Sequence, residues 1–502
     1  MRRNVDAMAW AGEALQKYPR TFGLVTIKSQ KALNVHPNLH SERVLFPTPS
    51  HRVAGRGVGF LWCALATTMA LLVACGTSDD WDDPRVFRYN ESASITSLDP
   101  AAARSLEHMW VVDQLYDGLV ELGSDLQVLP CLAHTWTFDP EALAYTFHLR
   151  EDVVFTTGKK LHASDVVYSL ERLRDPAVVS SGGWILDAVK PNGIEALGPH
   201  EVRITLSETY PAFLGLLTTA YGSVMDAEAA KAHPDSLRAR PVGSGPFELA
   251  WWLEDAGLVL HRNPNYWERD EQGRRMPYLE AIHVDVVQDM GAEYLGLLQG
   301  RYDFMSGLHP ASMESLLDEE GQLRPIHEST LSYEHVPFLK TDYLGVSLDG
   351  SSTPEALRDS RVRQAMSLAL DRDGMVRHLR RNAVVPSDHM VPPSMLGFRQ
   401  PPPVKQNLKL ARRLLAEAGY PEGHGIGTIV LSTTSDYVDL CAAFQHDWAT
   451  LGLDVQVDVV PASVQRERVA QGEVAMFYKS WLADHADAEN FLGLFLASNF
   501  AP

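Results

Sequence analysis

Residues 145–173 constrain the fold most, because they encode strands, turns and a helix within one short span. Large apolar residues alternate with polar ones over residues 145–149, which predicts a strand with one buried face. A β-branched and aromatic run ending at Phe155 predicts a second short strand, and Gly158 marks the turn after it. Ser164 stands where a helix N-cap is expected, and apolar residues then recur at helical spacing. The stretch therefore predicts a packed α+β layer.

The C-terminal third of the chain predicts a separate α/β unit, because helical patterns alternate there with short strands. Predicted helices cover residues 360–370, 408–418, 437–451 and 463–471. Predicted strands cover residues 344–348, 428–431, 453–459 and 474–478. This alternation favours a mostly parallel sheet. We place the boundary between the two units near residues 340–343.

An apolar run over residues 58–74, preceded by Arg52 and Arg56, is short for a membrane span and has the flanks of a secretory signal. A plain transmembrane anchor is the alternative, but small residues before Cys75 and polar residues after it favour cleavage. The end of the run resembles the lipobox of bacterial lipoproteins. That resemblance implies a signal peptide over residues 56–74, lipidation of Cys75 and attachment to a membrane surface.

The segments on either side of this signal have simple predicted roles. Residues 75–84 form a short polar tether. Residues 1–55 show no clear periodicity, and we expect them to be an artefact of start-site choice or a disordered extension.

The charge balance restricts the partners of the chain. A formal net charge of −20 argues against nucleic acid and suits cationic or zwitterionic ligands in a general way. The basic cluster of Arg377, Arg380 and Arg381 is expected to be a solvated helix face.

The cysteines and the catalytic motifs give no sign of a metal site or an enzyme. Cys131 and Cys441 are far apart in sequence, so we expect no disulfide between them, and no Cys/His spacing suggests a metal site or another cofactor. GxSxG, HExxH and a recognisable serine–lysine pair are all missing from the sequence. The chain is therefore predicted not to be an enzyme, with a secreted hydrolase as the alternative.

Several motifs closely resemble the bacterial extracellular solute-binding proteins of family 5, which serve peptide and nickel ABC transporters. The matching segments are residues 117–120, 129–136, 145–150, 155–158, 163–169, 241–247 and 263–267. The resemblance implies a two-lobed α/β fold of the periplasmic binding protein type. Lobe I would cover residues 85–342 with an extra subdomain, and lobe II residues 343–502. Family members continue beyond the last motif, so we expect the C-terminal part of lobe II to be truncated.

The same resemblance implies a ligand site at residues 480–491. In peptide-binding relatives a Trp-x-x-Asp motif places its aspartate on the α-ammonium group of the ligand, which makes Asp484 the amine anchor and Trp481 a wall of the cleft. The alternative for Asp484 is a turn cap. Asp487 is expected to start the helix at Glu489.

The function implied by the resemblance is capture of peptides by hinge closure and their delivery to an ABC permease in the membrane. The protein would act as a lipid-anchored monomer on the periplasmic or extracellular face of the cell membrane. A nickel chelate, haem or an oligosaccharide is the alternative solute. A sensor or chaperone-like surface protein is the alternative from another class.

Overall fold

The computed structural model describes residues 24–29, 83–308, 310–336, 338–350, 352–395, 397, 399 and 403–496. The predicted signal peptide, Cys75 and most of the tether lie outside these residues. Within them, no helix combines the length and apolar character needed to cross a membrane.

Strands and helices follow one another along the whole described chain. The strands are β1 (Leu24–Ser29), β2 (Val86–Glu91), β3 (Asp117–Gly118), β4 (Val120–Leu122), β5 (Val128–Pro130), β6 (Ala133–Asp139), β7 (Ala144–Leu149), β8 (Val189–Gly198), β9 (Glu201–Leu206), β10 (Ser223–Val224), β11 (Phe247–Leu253), β12 (Gly257–Arg262), β13 (Ala281–Val286), β14 (Phe304–Ser306), β15 (Leu331–Val336), β16 (Lys340–Val346), β17 (Ile429–Thr433), β18 (Val455–Val459) and β19 (Met476–Leu482). The helices are α1 (Leu106–Leu115), α2 (Ala163–Arg172), α3 (Phe213–Leu216), α4 (Ala227–Ala232), α5 (Met290–Leu298), α6 (Pro310–Leu316), α7 (Ser360–Ala369), α8 (Arg372–Leu379), α9 (Leu408–Glu417), α10 (Val438–Ala449), α11 (Ala462–Ala470) and α12 (Glu489–Leu492).

Lobe I contains a seven-stranded sheet and a four-stranded sheet. The large sheet has the order β11-β12-β13-β2-β14-β1-β15, with β2 parallel to both of its neighbours. The smaller sheet has the order β6-β7-β9-β8, and all of its pairings are antiparallel. One apolar core joins residues of both sheets, including the fully buried Phe147 and Phe247, with Trp110 of α1. The stretch around β7 and α2 therefore packs as the alternation predicts.

Lobe II contains the sheet β16-β19-β17-β18 and has its own core. The pairs β17–β18 and β17–β19 are parallel, and β16 runs antiparallel to β19. The mostly parallel sheet predicted from the sequence is confirmed, and its first strand begins at Lys340. Helix α10 supplies Phe444 and Trp448 to the core.

Strand β1 differs from the expectation for the N-terminal extension. Leu24–Ser29 pairs antiparallel with β14 on one side and with β15 on the other. Its sequence, LVTIKS, is rich in residues that favour strands, and the sheet offers it two partners. Six residues are too few to stand out as a periodic pattern within residues 1–55. The sequence therefore predicted only a start-site artefact or a disordered extension there.

Two local predictions are corrected by the structure. Helix α2 begins at Ala163 with His162 as its N-cap, so the N-cap assignment of Ser164 is wrong. The Asp165 carboxylate accepts a hydrogen bond from the backbone N–H of His162 at 3.0 Å, and this bond fixes the earlier start. Arg380 is buried and forms a bidentate ion pair with Asp439, so it is not part of a solvated basic face.

The cysteines of the described chain match their prediction. Cys131 and Cys441 are both buried and form no disulfide within the described residues. Burial raises the pKa of the Cys441 thiol to about 11, so this thiol stays protonated and packs as a small apolar side chain.

Candidate ligand-binding cleft between the lobes

A cavity of about 350 Å³ lies between the two lobes. Lobe I contributes residues from α1 through β5, together with residues 217–219, 223, 246, 266 and 268. Lobe II contributes residues 482–486 at and after the end of β19, and residues 338 and 339 just before β16 complete the lining. Its volume lies within the range of small-molecule sites, near the lower end. Because β19 runs parallel to β17 and ends at the cavity, the site lies at a strand carboxyl end, where open α/β sheets bind ligands.

A glycine-rich loop sets the lobe I side of the cavity. The loop over residues 241–247 packs so closely on the end of α1 that a Cβ on Gly243 would lie 2.1 Å from the Leu115 carbonyl oxygen. A Cβ on Gly245 would lie 2.5 Å from the Leu115 carbonyl carbon. Only glycine permits this approach. The loop thereby brings Ser244 next to Asp117, and the Ser244 hydroxyl donates to Asp117 Oδ2 at 2.9 Å.

Trp267 is the second support of Asp117. Its indole Nε1 donates to Asp117 Oδ2 at 3.1 Å. The Arg150 guanidinium stacks on the Trp267 ring at 4.2 Å and donates from Nε to the Cys131 carbonyl at 2.8 Å. Three separate sequence motifs thus meet behind one carboxylate that lines the cavity.

The Tyr266 hydroxyl lies next to carboxylates of lobe I. Its hydroxyl donates to Glu268 Oε2 at 3.2 Å and lies 3.5 Å from Asp117 Oδ1. Burial raises the pKa of Tyr266 well above its ordinary value, and the negative charges of Asp117, Glu268 and Glu121 add to the shift. These three carboxylates therefore form one negative patch on the cavity wall.

The structure places Asp484 on the lobe II wall of the cavity, two residues after β19. Asn490 holds it there: its side-chain oxygen accepts from the Asp484 backbone N–H at 3.3 Å, and its Nδ2 donates to Asp484 Oδ2 at 3.4 Å. The carboxylate is exposed to the cavity but is surrounded by protein atoms, and this burial raises its pKa. Burial and the Asp484 charge together raise the pKa of Tyr221 to about 12, so Asp484 also lies close to lobe I.

Trp481 does not line this cavity. It packs beside the buried Val391, Met395 and Phe491, and its Nε1 donates to Asn490 Oδ1 at 2.9 Å. Trp481 therefore acts on Asp484 indirectly, by fixing Asn490. Asp487 caps the turn before α12, because its Oδ1 accepts from the Glu489 backbone N–H at 2.8 Å, as predicted.

His485 is a buried polar residue on the lobe II side of the cavity. Its side chain is packed against Trp184 of lobe I, with ring centroids 6.2 Å apart. Nε2 makes no hydrogen bond within the described chain and lies 3.7 Å from Glu489 Oε2. Burial lowers the pKa of His485, although neighbouring carboxylates oppose that shift. The imidazole is therefore neutral at pH 7.

The two lobes also touch beside the cavity. The Tyr210 hydroxyl of lobe I donates to Glu489 Oε2 of lobe II at 2.7 Å. Together with the Trp184–His485 contact, this bond closes one edge of the cleft.

The structure places Asp484 on the cavity wall, and its binding role stays a prediction; several other residues that line or support the same cavity were not predicted from the sequence. Glu121 and Glu268 lie beside family-like motifs but have no spacing that marks them as a pair. Asn490 belongs to the motif over residues 480–491, and the sequence predicted no separate role for it. In the described chain, no group of three or more His, Cys, Asp or Glu side chains is arranged to hold a metal ion.

Two lobes, each with its own β-structure and apolar core, and a cavity between them define the two-lobed fold of a periplasmic binding protein. The family model described as bacterial extracellular solute-binding proteins, family 5 Middle, matches residues 127–501. The chain belongs to this family. The family is one of solute-binding proteins, which is consistent with the prediction that the chain is not an enzyme.

Individual relatives bind different solutes. The chain is 27% identical to heme-binding protein A of Haemophilus influenzae over 413 residues, which cover 77% of this chain and 72% of the relative. It is 26% identical to the glutathione-binding protein GsiB of Escherichia coli over 417 residues, which cover 82% of this chain and 77% of the relative. Among solved structures it resembles the ABC transporter-associated periplasmic binding protein DppA from Helicobacter pylori in complex with peptide STSA. That match has a TM-score of 0.64 and 26% identity, and covers 81% of this chain and 80% of the other.

Proposed function

We propose that this protein captures short peptides between its lobes and delivers them to an ABC permease, as a monomer held at the outer face of the membrane by lipid on Cys75. The observation that carries the proposal is the Asp484 carboxylate, which Asn490 orients toward the interlobe cavity. A free α-ammonium group entering that cavity would meet a charged hydrogen-bond acceptor. Peptides are the solute class that combines such a group with main-chain amides.

The charge of the cavity favours peptides with a single carboxylate over the more acidic solutes of some relatives. Haem carries two propionates and glutathione carries two carboxylates, and both would meet a wall of carboxylates with no Lys or Arg among its described lining residues. Like charges at close range disfavour binding.

Isothermal titration calorimetry with paired ligands tests the amine anchor. A free tripeptide should bind the wild type, and its N-acetylated form, which lacks the ammonium group, should bind roughly tenfold more weakly. In Asp484→Asn the two forms should bind alike, because the partner of the ammonium is gone. The Asp487→Asn variant alters a neighbouring carboxylate outside the cavity lining. It should still bind the free tripeptide more tightly than the N-acetylated form. Equal binding of both forms to the wild type would refute the anchor.

Mass spectrometry of the membrane fraction tests the lipid anchor. Cleavage before Cys75 removes β1 from the mature chain, so the anchor and this strand cannot coexist in one polypeptide. We expect a mature N-terminus at a lipidated Cys75, and no mature protein in the membrane fraction of Cys75→Ala. A mature chain that retains residues 24–29 would contradict the proposal.

A further inference from the structure

The hydrogen bonds of Asn490 fix the orientation of its side-chain amide. The oxygen Oδ1 accepts from Trp481 Nε1 at 2.9 Å and from the Asp484 backbone N–H at 3.3 Å. An indole N–H and a backbone N–H can only donate, so the atom that faces them must be the amide oxygen. The amide nitrogen therefore points the other way, toward the side chains of Asp484 and His485.

This orientation also fixes the protonation state of His485. Asn490 Nδ2 lies 3.2 Å from His485 Nδ1 and 3.4 Å from Asp484 Oδ2. Because Nδ2 is a donor, Nδ1 can bond to it only as an acceptor that carries no proton. The neutral imidazole then carries its proton on Nε2, which lies 3.7 Å from Glu489 Oε2. The geometry of Asn490 thus selects a neutral His485 in one of its two tautomers.

A proton on Nδ1 would place two donors against each other. The His485 ring is buried and packed against Trp184, which restricts its own movement. Asn490 must then turn its amide over or move away, because its NH2 group accepts no hydrogen bond. Turning the amide over removes the acceptor from Trp481 and from the Asp484 backbone. Either movement removes the donor from the Asp484 carboxylate. Protonation of His485 therefore takes away the support that orients Asp484 at the cavity.

Three carboxylates of its own segment act on His485. Glu489, Asp484 and Asp487 favour the charged imidazole, but burial is the stronger effect and lowers the pKa of His485. The ring is neutral at pH 7 and gains a proton only in more acidic solution. The new charge then lies near Asp484 and competes with a ligand ammonium for that carboxylate.

Lobe I faces the same edge of the cleft with groups that keep their charge state. Trp184, which packs on the ring, carries no charge. Arg104 acts on Tyr221, and Asp187 acts on Tyr210. Burial raises the pKa of both tyrosines above the ordinary value, so neither loses its proton between pH 5 and pH 8.

We propose that His485 is a proton-controlled positioning residue of the cleft: the neutral ring holds Asn490, and through it Asp484, in the orientation that binds an ammonium group, and protonation of the ring releases the ligand. The inference rests on the proposed capture of a peptide amine by Asp484 and adds its regulation by pH. Linkage is reciprocal, so a bound peptide makes His485 harder to protonate.

Nitrogen-15 NMR of the histidine rings tests the geometry directly. In the ligand-free protein at pH 7, His485 should carry its proton on Nε2. Adding tri-alanine to the wild type should lower the pH at which His485 titrates. Asn490→Asp, whose carboxylate accepts instead of donating, should raise that pH. His108 is the matched control, because it is buried in lobe I and its ring nitrogens bind Thr96 and Ser105. Its signals should not respond to the peptide.

Calorimetry with tri-alanine between pH 5 and pH 8 tests the effect on binding. Wild-type affinity should fall by up to about tenfold per pH unit below the titration midpoint of His485, as expected when one proton opposes binding. His485→Asn keeps an acceptor for Asn490 but cannot be protonated. It should bind as tightly as the wild type at pH 8 and lose most of this pH dependence, leaving the titration of Asp484. His446→Asn changes an exposed histidine of α10 and should keep the wild-type profile.

The outcomes separate this inference from the proposed function. Identical pH profiles of the wild type and His485→Asn overturn the linkage and leave peptide capture standing. A ligand-free ring with its proton on Nδ1, or a titration that the peptide does not shift, also overturns the linkage, and both are measured on the wild type. Failure of tri-alanine to bind at any pH contradicts peptide capture. The tautomer and the effect of Asn490→Asp then still support or overturn the coupling of His485 to Asn490.

Discussion

Asp484, the proposed amine anchor, carries an electrostatic cost in the unliganded protein. Burial raises its pKa, which means that the folded protein disfavours the ionised form. Its favourable contribution to stability is therefore present below the unfolded-state pKa of about 4 and is lost as the pH rises through the folded pKa. A ligand ammonium has the opposite preference and favours the ionised carboxylate.

The first prediction follows from these opposite preferences. Peptide affinity should fall as the pH decreases through the raised pKa of Asp484, beginning above pH 4, because binding requires the ionised carboxylate. Calorimetry between pH 4 and pH 7 should show a shallower pH dependence in Asp484→Asn. At pH 7 that variant should unfold at a higher temperature than the wild type when no ligand is present. A variant with the pH profile of the wild type would rule out Asp484 as the titrating anchor.

The positions of some residues of the cleft can be predicted from the sequence, and those of others cannot. The position of Asp484 at the cavity could be anticipated, because it stands in a family-like Trp-x-x-Asp motif directly after a strand, and its binding role stays a prediction. Asn490 and Glu268 could not, because their contacts with the site depend on how a loop folds back in space. Trp481 has the correct neighbourhood, but its side chain turns away from the cavity toward Phe491.

Between elements, ion pairs that are shielded from water contribute more than pairs on the surface. Arg172 in α2 reaches across lobe I and binds Asp99 with two hydrogen bonds, of 2.8 and 2.6 Å. Their side chains are 10% and 12% exposed. The Asp99 carboxylate also accepts a hydrogen bond from the Ala101 backbone N–H. It therefore stabilises both the turn that follows it and its contact with helix α2.

The second prediction compares this pair with a surface pair. Asp99→Asn should lower the free energy of unfolding by about 3 kcal/mol, because it leaves the Arg172 charge buried without its partner. Asp373→Asn breaks the exposed pair with Lys405 and should change the free energy by less than about 1 kcal/mol. Urea unfolding of both variants checks the difference. Equal losses would show that burial does not set the strength of the first pair.

The third prediction concerns the glycine-rich loop. Gly245→Ala forces a Cβ against the Leu115 backbone and should lower the free energy of unfolding by about 1–3 kcal/mol. It should also weaken ligand binding, because Ser244 in the same loop supports Asp117. Gly215→Ala, in α3, places its Cβ in open space and should leave both unfolding and binding unchanged. Wild-type behaviour of Gly245→Ala in thermal unfolding would mean that the loop can move away from α1.

Sequence patterns predict where strands and helices lie better than they predict which strands pair with one another. The strands around residues 145–149 and 453–459 show clear alternation, and both appear as β7 and β18. Strand β1 was missed because its stability depends on β14 and β15, which lie hundreds of residues away in the chain. Boundaries such as the start of α2 depend on one side-chain hydrogen bond.

At the scale of the whole molecule, the family resemblance predicted two lobes, and local patterns alone predicted two separate units. The residues that line the cleft were harder to predict, because its walls combine α1 to β5 and several later loops of lobe I with residues at the end of β19. These segments come together only when both lobes are folded and face each other. The same holds for the edge contact between Tyr210 and Glu489, which are 279 residues apart.

The fourth prediction uses that contact to probe lobe closure. Tyr210→Phe removes a hydrogen bond between a hydroxyl and a carboxylate that links the lobes, and it leaves the packing of the ring in place. If ligand capture requires the lobes to close, peptide affinity should fall by up to about tenfold, since a half-exposed bond of this kind contributes about 1 kcal/mol. Small-angle X-ray scattering of the liganded variant should show a larger fraction of open molecules than the wild type at the same peptide concentration.

A matched tyrosine separates closure from a general loss of hydrogen bonding. The Tyr294 hydroxyl lies 2.9 Å from Ser315 Oγ, and both residues belong to lobe I. Tyr294→Phe should therefore leave peptide affinity and the scattering profile unchanged. If Tyr210→Phe also binds as tightly as the wild type, the contact with Glu489 contributes nothing to closure. The Trp184–His485 packing would then be the contact that holds this edge of the cleft.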